Sequence, residues 1–204
     1  MTGRRRLANW LIAAGVLLLA AGFCIVGFNL YDEYRAGRQA GETVEVIRSE
    51  LAAREDSTEE EAEGLPEYTF SPEAEMPTML VDGNTYIGVL DVPSLGLSLP
   101  VMSDWSYSNL RIAPCRYSGT AYSSGFTIAA QNYSTHFGPV RDLNAGAEVI
   151  FTDVDGNSFA YEVQAVEVLE PTAIEEMLSD DWDLTLFTCT TGGQARVAVR
   201  CVRA

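Results

Sequence analysis

The chain has 204 residues, and its 29 acids outweigh 13 basic residues, all of them arginine, for a formal charge of −16. So acidic a chain repels a phosphate backbone, and nucleic acid is excluded as a partner. Without lysine there is no Ser-Lys peptidase and no Schiff-base chemistry. One histidine and no CxxC pair leave no structural zinc spacing, so neither a metal nor another cofactor is expected.

The length suits one anchored domain rather than two. Arg4, Arg5 and Arg6 precede an uncharged run from Trp10 to Phe28. At about 1.5 Å per residue this run spans about 28 Å, close to the hydrocarbon thickness of a bilayer. Arginines before it and acids after it predict a cytoplasmic N-terminus at 1–8, a transmembrane signal anchor at 9–31 and an extracellular remainder, with Trp10 and Tyr31 at the two interfaces. The run is longer than the core of a cleaved signal peptide and offers no small-x-small site before polar residues begin, which favours an uncleaved anchor.

Tyr34, Gly37, Ala40, Val44, Ile47 and Leu51 recur at steps of three and four and predict a juxtamembrane helix over 32–54. Gly37 and Ala40 interrupt its apolar stripe, so the helix is expected to lean on its own domain rather than form a coiled coil. From Glu55 to Met76 acids accumulate without one basic residue, broken by Gly64, Pro66 and Pro72. Residues 55–78 therefore read as a self-repelling, solvated linker.

The folded domain is expected at 79–204. Asp82-Gly83 and Asp155-Gly156 are hairpin signals, the latter between β-rich runs at 148–152 and 158–163. Further runs at 86–92, 97–102, 126–130 and 164–169, with a final hairpin, bring the count to about eight strands. Short helices are expected at 108–112 and 172–178. The class is mainly β, and the architecture a closed or nearly closed barrel.

The final hairpin carries the chemistry. Asp183-Leu-Thr-Leu-Phe-Thr-Cys189 alternates with a period of two, Gly192-Gly193 supplies a turn that tolerates positive φ, and Arg196 opens the returning strand. Cys189 thus ends one strand while the hairpin brings a guanidinium back towards it. A fixed positive charge favours a thiolate over a thiol, and guanidinium donors can hold an oxyanion during acyl transfer. Of the other cysteines, Cys24 falls in the apolar run, so Cys115 and Cys201 are the one pair free to form a disulfide.

Thr185-Leu-Phe-Thr-Cys189 followed by Arg196 resembles the TLxTC…R signature of sortases, the cell-wall and pilus cysteine transpeptidases of Gram-positive bacteria. Tyr86-Ile-Gly-Val-Leu-Asp-Val-Pro93 and Leu99-Pro-Val101 are similar to the family's opening strands, although less specific. The resemblance implies an eight-stranded sortase-like β-barrel, preceded here by the transmembrane helix. It implies Cys189 as nucleophile and Arg196 as the oxyanion and substrate-positioning group. Arg200, four strand residues further on and about 13 Å away, is too distant to share that role. Ala129 and Thr188 flank the site as candidate substrate contacts, with 170–181 as a groove wall.

At one position the pattern breaks. Phe126-Thr-Ile-Ala-Ala-Gln-Asn-Tyr-Ser-Thr-His136 is similar to the family segment in which a strand ends in a small residue and then the catalytic histidine, but Gln131 stands at the histidine's place. Glutamine has no proton to exchange near neutral pH. His136, five residues later, is either a substitute acid and base or a locally packed ring. Papain-like peptidases place cysteine before histidine, the reverse of this order, and an L,D-transpeptidase would show Ser-His-Gly-Cys.

The resemblance implies cleavage of an LPxTG-like sorting signal on a surface protein, followed by transfer to an amine of a peptidoglycan precursor or a pilin lysine. With no Asp-Pro-aromatic motif in the linker, a class B- or D-like enzyme is expected rather than a lid-bearing pilin class. The alternative is a catalytically impaired surface binding module that has kept the groove.

Overall fold

The computed structural model describes residues 2–58 and 74–204, with side chains at 9–54 and 74–204. Most of the acidic linker expected at 55–78 lies outside the described residues. Contacts divide the chain into two units, Met1–Arg35 and Ala36–Ala204. Helix α1 (Thr2–Thr58) contributes to both.

In the first unit α1 leaves Trp10, Leu17, Leu18, Phe23 and Phe28 exposed along its length. It is long and apolar enough to cross a membrane. A helix that is apolar all round has no stripe to turn towards a core, which suits lipid rather than water.

The second unit is the barrel with the end of α1 laid on it. Its strands are β1 (Met79–Val81), β2 (Asn84–Val92), β3 (Leu97–Met102), β4 (Cys115–Ser118), β5 (Phe126–Ala129), β6 (Glu148–Asp153), β7 (Ser158–Leu169), β8 (Leu184–Cys189) and β9 (Arg196–Arg203). The hydrogen-bonded order is β1-β2-β3-β4-β5-β8-β9-β7-β6, and β6 pairs back onto β2. The eight strands β2–β9 therefore close on themselves, and β1 is an added hairpin arm. Closure leaves no barrel edge to pair with another chain.

Eight barrel strands agree with the sequence, but their membership differs. The runs at 158–163 and 164–169 are one strand, β7, whose register on β9 shifts between Val163 and Ala165. That bulge swaps the inward face, so one strand reads as two. The eighth place is taken by β4, four residues that pair parallel with β3 through Met102↔Cys115 and antiparallel with β5. So short a strand shows no alternation of its own.

Inside the barrel Ile87, Leu90, Val101, Phe126, Ile128, Phe151, Tyr161, Leu184, Leu186 and Val199 form one buried cluster. β3 and β5–β9 contribute alternate residues, as the pleat requires, while in β2 a register shift between Tyr86 and Gly88 separates Ile87 from Leu90. A second cluster joins Val44 and Ile47 of α1 to Tyr86, Val89, Met102 and Cys115 on the outer side of β2–β4. The helix leans on the domain, as its stripe predicts. Arg48 adds an ion pair to Asp91 (2.7 Å), and Arg54 donates to the Val154 carbonyl (3.2 Å). Gly37 does not interrupt this packing but permits it: a Cβ there would lie 2.7 Å from Thr135 Cγ2, closer than two carbons can stand.

Candidate active site

The β8–β9 hairpin sets the first two positions by register. β8 pairs antiparallel with β9 from Leu184↔Cys201 to Cys189↔Arg196, so the cysteine and the arginine are direct cross-strand partners on one face. Gly192 and Gly193 turn the chain with φ of 90° and 74°, a conformation open to glycine at little strain. Arg196 Nη1 donates to the carbonyls of Gly193 and Ala195, both at 3.2 Å, which holds the guanidinium over the turn beside the end of β8.

The third position is set across the barrel. β5 runs parallel to β8, with Ala129 opposite Phe187. The ladder continues one step as the Ala130 amide donates to the Phe187 carbonyl (3.1 Å), and Gln131 is the next residue, where the chain leaves the sheet. Thr188 Oγ1 donates to the Ala130 carbonyl (2.8 Å), and Asn132 Nδ2 donates to the Cys189 carbonyl (3.1 Å). Two side-chain clasps thus fix the ends of β5 and β8 together. Cys189, Gln131 and Arg196 are all partly exposed at this end.

His136 lies elsewhere in the same loop. Its side chain is wholly buried, with its ring 5.4 Å from that of Tyr133. The loop is wound tightly: the amides of His136 and Gly138 both donate to the Tyr133 carbonyl, and the Phe137 amide donates to the Gln131 carbonyl. The candidate substrate contacts Ala129 and Thr188 are buried too, at 2% and 1% exposure. The Thr188 hydroxyl is already spent on Ala130. Asn132 was missed from the sequence because a polar residue beside a strand end carries no periodic signal.

On the face that carries Cys189, Ala129, Phe187 and Ala198 form a small apolar floor. Helix α2 (Ile174–Met177), within the 170–181 segment, covers part of it with Met177, and Leu110, Tyr117 and Leu169 close its sides. Arg200 shares this face but is only 2% exposed. It donates to Glu167 (3.0 Å), to Thr185 Oγ1 (3.1 Å) and to the Glu176 carbonyl (2.7 Å), which ties the α2 segment to the sheet. Arg200 holds structure, and Arg196 faces the cysteine.

The remaining thiols of the barrel unit are of another kind. Cys115 and Cys201 are fully buried and unbridged, and burial pushes each up to about 12. Both sit in separate apolar clusters as small hydrophobic residues. Among the described residues no three His, Cys, Asp or Glu side chains converge as metal ligands.

Residues 90–204 match the sortase domain family. The chain belongs to the sortase family. It is similar to Sortase A of Bacillus anthracis, 24% identical over 182 residues that cover 86% of this chain and 85% of that protein. Among solved structures, sortase C1 from Streptococcus suis shares 26% identity with a TM-score of 0.52, covering 58% of this chain and 73% of that one. A Clostridium perfringens Sortase D5 transpeptidase shares the fold at a TM-score of 0.59 and 18% identity, over 82% of this chain and 99% of that one. Sortases are cysteine transpeptidases, and in this sortase Cys189 and Arg196 stand paired across a hairpin.

Proposed function

We propose that this sortase is a membrane-anchored extracellular transpeptidase in which Cys189 attacks the scissile carbonyl of an LPxTG-like sorting signal. The sulfur forms a thioester, the C–N bond breaks, and the leaving amine takes up a proton. A second amine, from a peptidoglycan precursor or a surface protein, then attacks the thioester, loses a proton and releases the thiol. Arg196 steadies the oxyanion in both halves. The observation that carries this reading is the direct pairing of Cys189 with Arg196 at an open strand end.

Gln131 bears on the protons. Both transfers need a group that exchanges one, which an amide does not do, and its loss commonly slows such steps by about 10² to 10⁴. The buried His136 is read as a packing residue rather than a relocated acid. Gln131 therefore also favours the second reading, a binding module that has kept the groove and lost turnover.

The test is a panel of sorting-signal peptides offered to the full chain in detergent, with cleavage and any Cys189 adduct followed by mass spectrometry, alongside Gln131→His and His136→Ala. Slow cleavage that survives His136→Ala supports the enzyme. Cleavage by Gln131→His alone supports the binding module, and loss of cleavage in His136→Ala would restore His136 to the mechanism.

A further inference from the structure

The face that carries Cys189 does not end at its apolar floor. Phe187 projects to the same side as Cys189, two strand residues or about 7 Å away. Its ring meets Tyr117 edge-on at 5.2 Å, Tyr117 meets Trp105 edge-on at 5.4 Å, and Trp105 meets Tyr107 at 5.3 Å with a tilt of 57°. Four rings thus form a continuous ladder from beneath the nucleophile to the surface. At its outer end Trp105 is 40% and Tyr107 78% exposed, an uncommon display for rings of that size.

That outer end is concave. Ser103, Asp104, Trp105, Arg116 and Tyr117 line a cavity of about 410 Å³. Its polar rim is held in place: Arg116 Nε donates to the Ser103 carbonyl (2.9 Å), Ser103 Oγ to Asp104 (2.7 Å), and Asn109 Nδ2 to the Asp104 carbonyl (2.9 Å). Rings set nearly at right angles make a slot for a flat apolar group, and a few fixed polar groups around it orient what enters.

We propose that this notch is a specificity subsite for the acyl donor, holding a ring-bearing residue, proline or aromatic, about four to six positions on the N-terminal side of the scissile bond. The inference rests on the reading of Cys189 as nucleophile. Followed ring by ring, the path from the strand end to the notch is at most about 18 Å, which about five residues of extended chain span. Leu110 and Tyr117, both partly buried against the Phe187 cluster, lie between the two, and the proposal has the extended acyl chain pass over them. The acyl half gains most from such a tether. It must stay bound while the leaving group departs and the acceptor enters from the exposed turn at 191–194.

The experiment uses the full chain in detergent with Cys24→Ala and a series of peptide chloromethyl ketones. In each, the Cys189 sulfur forms a bond to the methylene carbon and chloride leaves. Peptides reaching four and six residues back from the ketone are compared, with tryptophan, proline or alanine at the fifth, and labelling rates at Cys189 are read by mass spectrometry. The six-residue peptides with a ring are expected to label about tenfold faster than the four-residue one, equivalent to about 1.4 kcal/mol. Trp105→Ala should abolish that advantage while leaving the four-residue rate unchanged, and Trp105→Phe should keep it. Equal rates for long and short peptides, or an advantage that survives Trp105→Ala, overturn the subsite. A cell-wall saccharide that slows the long peptides and not the short one assigns the notch to a glycan instead. If no peptide outpaces iodoacetamide, the reading of Cys189 itself fails.

Discussion

The two sides of the active site are built differently. The β8–β9 hairpin places Cys189 against Arg196 by local pairing across a six-residue connection, so turn chemistry and strand alternation determine the outcome. The 131–138 loop owes its shape to tertiary contacts, with Asn132 clasping Cys189 from 57 residues away and Thr135 lying against Gly37. Chemistry written into a hairpin survives almost any change elsewhere in the chain. Chemistry carried by a packed loop depends on its neighbours, and this is the side that holds Gln131.

The sharpest way to break the comparison is to remove the local side altogether. Cys189→Ala is expected to eliminate both the peptide adduct and any transfer. Cys115 and Cys201 cannot replace it, being 0% exposed and protonated well past neutral pH. Intact-mass analysis after alkylation at pH 8 checks this: one barrel thiol should react in the native protein, and three after denaturation. The converse change repairs the packed side. Gln131→His puts an imidazole one residue past the β5–β8 pairing and should raise transfer by about 10² to 10⁴, with a bell-shaped pH–rate profile that the unaltered chain is expected to lack. A variant no faster than the parent would mean that the loop withholds more than a side chain.

The two arginines of β9 sharpen the same contrast between chemistry and packing. Arg196→Ala removes a partly exposed guanidinium that, among the described residues, bonds to turn carbonyls. Its stability should change by less than about 0.5 kcal/mol, while transfer falls by about 10² to 10³. Arg200→Ala leaves Thr185 and the Glu176 carbonyl short of a donor, although Glu167 is 43% exposed and rehydrates. A loss of about 2 kcal/mol follows, with less effect on Cys189 labelling. Urea melts beside labelling rates separate the two; equal stability losses would merge the roles.

The buried thiols give a pH test of the core. In an unfolded chain a thiol ionises near 9, and burial raises Cys201 to about 12. Below pH 9 both states are protonated and stability is unaffected. Between 9 and 12 only the unfolded chain loses its proton, so folding weakens by about 1.4 kcal/mol per pH unit for each such thiol. Cys201→Ala lowers stability at pH 7 but should flatten that alkaline slope, which urea melts at pH 8, 9 and 10 would show. An unchanged slope would assign the alkaline loss to other groups.

The barrel was legible because its strands alternate and its turns carry Asp-Gly and Gly-Gly. The exceptions have physical causes: a bulge at Val163 made one strand look like two, and β4 is too short to show a period. At the site, spacing alone brought Cys189 to Arg196. For His136 the sequence left two readings open, and its burial fits the locally packed ring. Asn132 was not legible, because its partner is a main-chain carbonyl on another strand.

Gly37 is where a sequence rule and the structure point in opposite directions, and the expected effect there is the smallest. Glycine inside a helix is disfavoured against alanine by about 1 kcal/mol, so helix propensity alone says that Gly37→Ala stabilises. The added carbon would stand 2.7 Å from Thr135 Cγ2 and 2.8 Å from its Cβ, and such overpacking costs about 1 to 3 kcal/mol. A net loss of about 1 kcal/mol is expected. Because Asn132 lies in the same loop as Thr135 and clasps Cys189, the displaced loop should also alter the Cys189 alkylation rate. Thr135→Gly removes both atoms in the way, so the double variant should recover the stability and the rate that Gly37→Ala loses. If Gly37→Ala is instead more stable and Cys189 reacts as before, the helix touches the loop without constraining it, and the two sides of the site are independent.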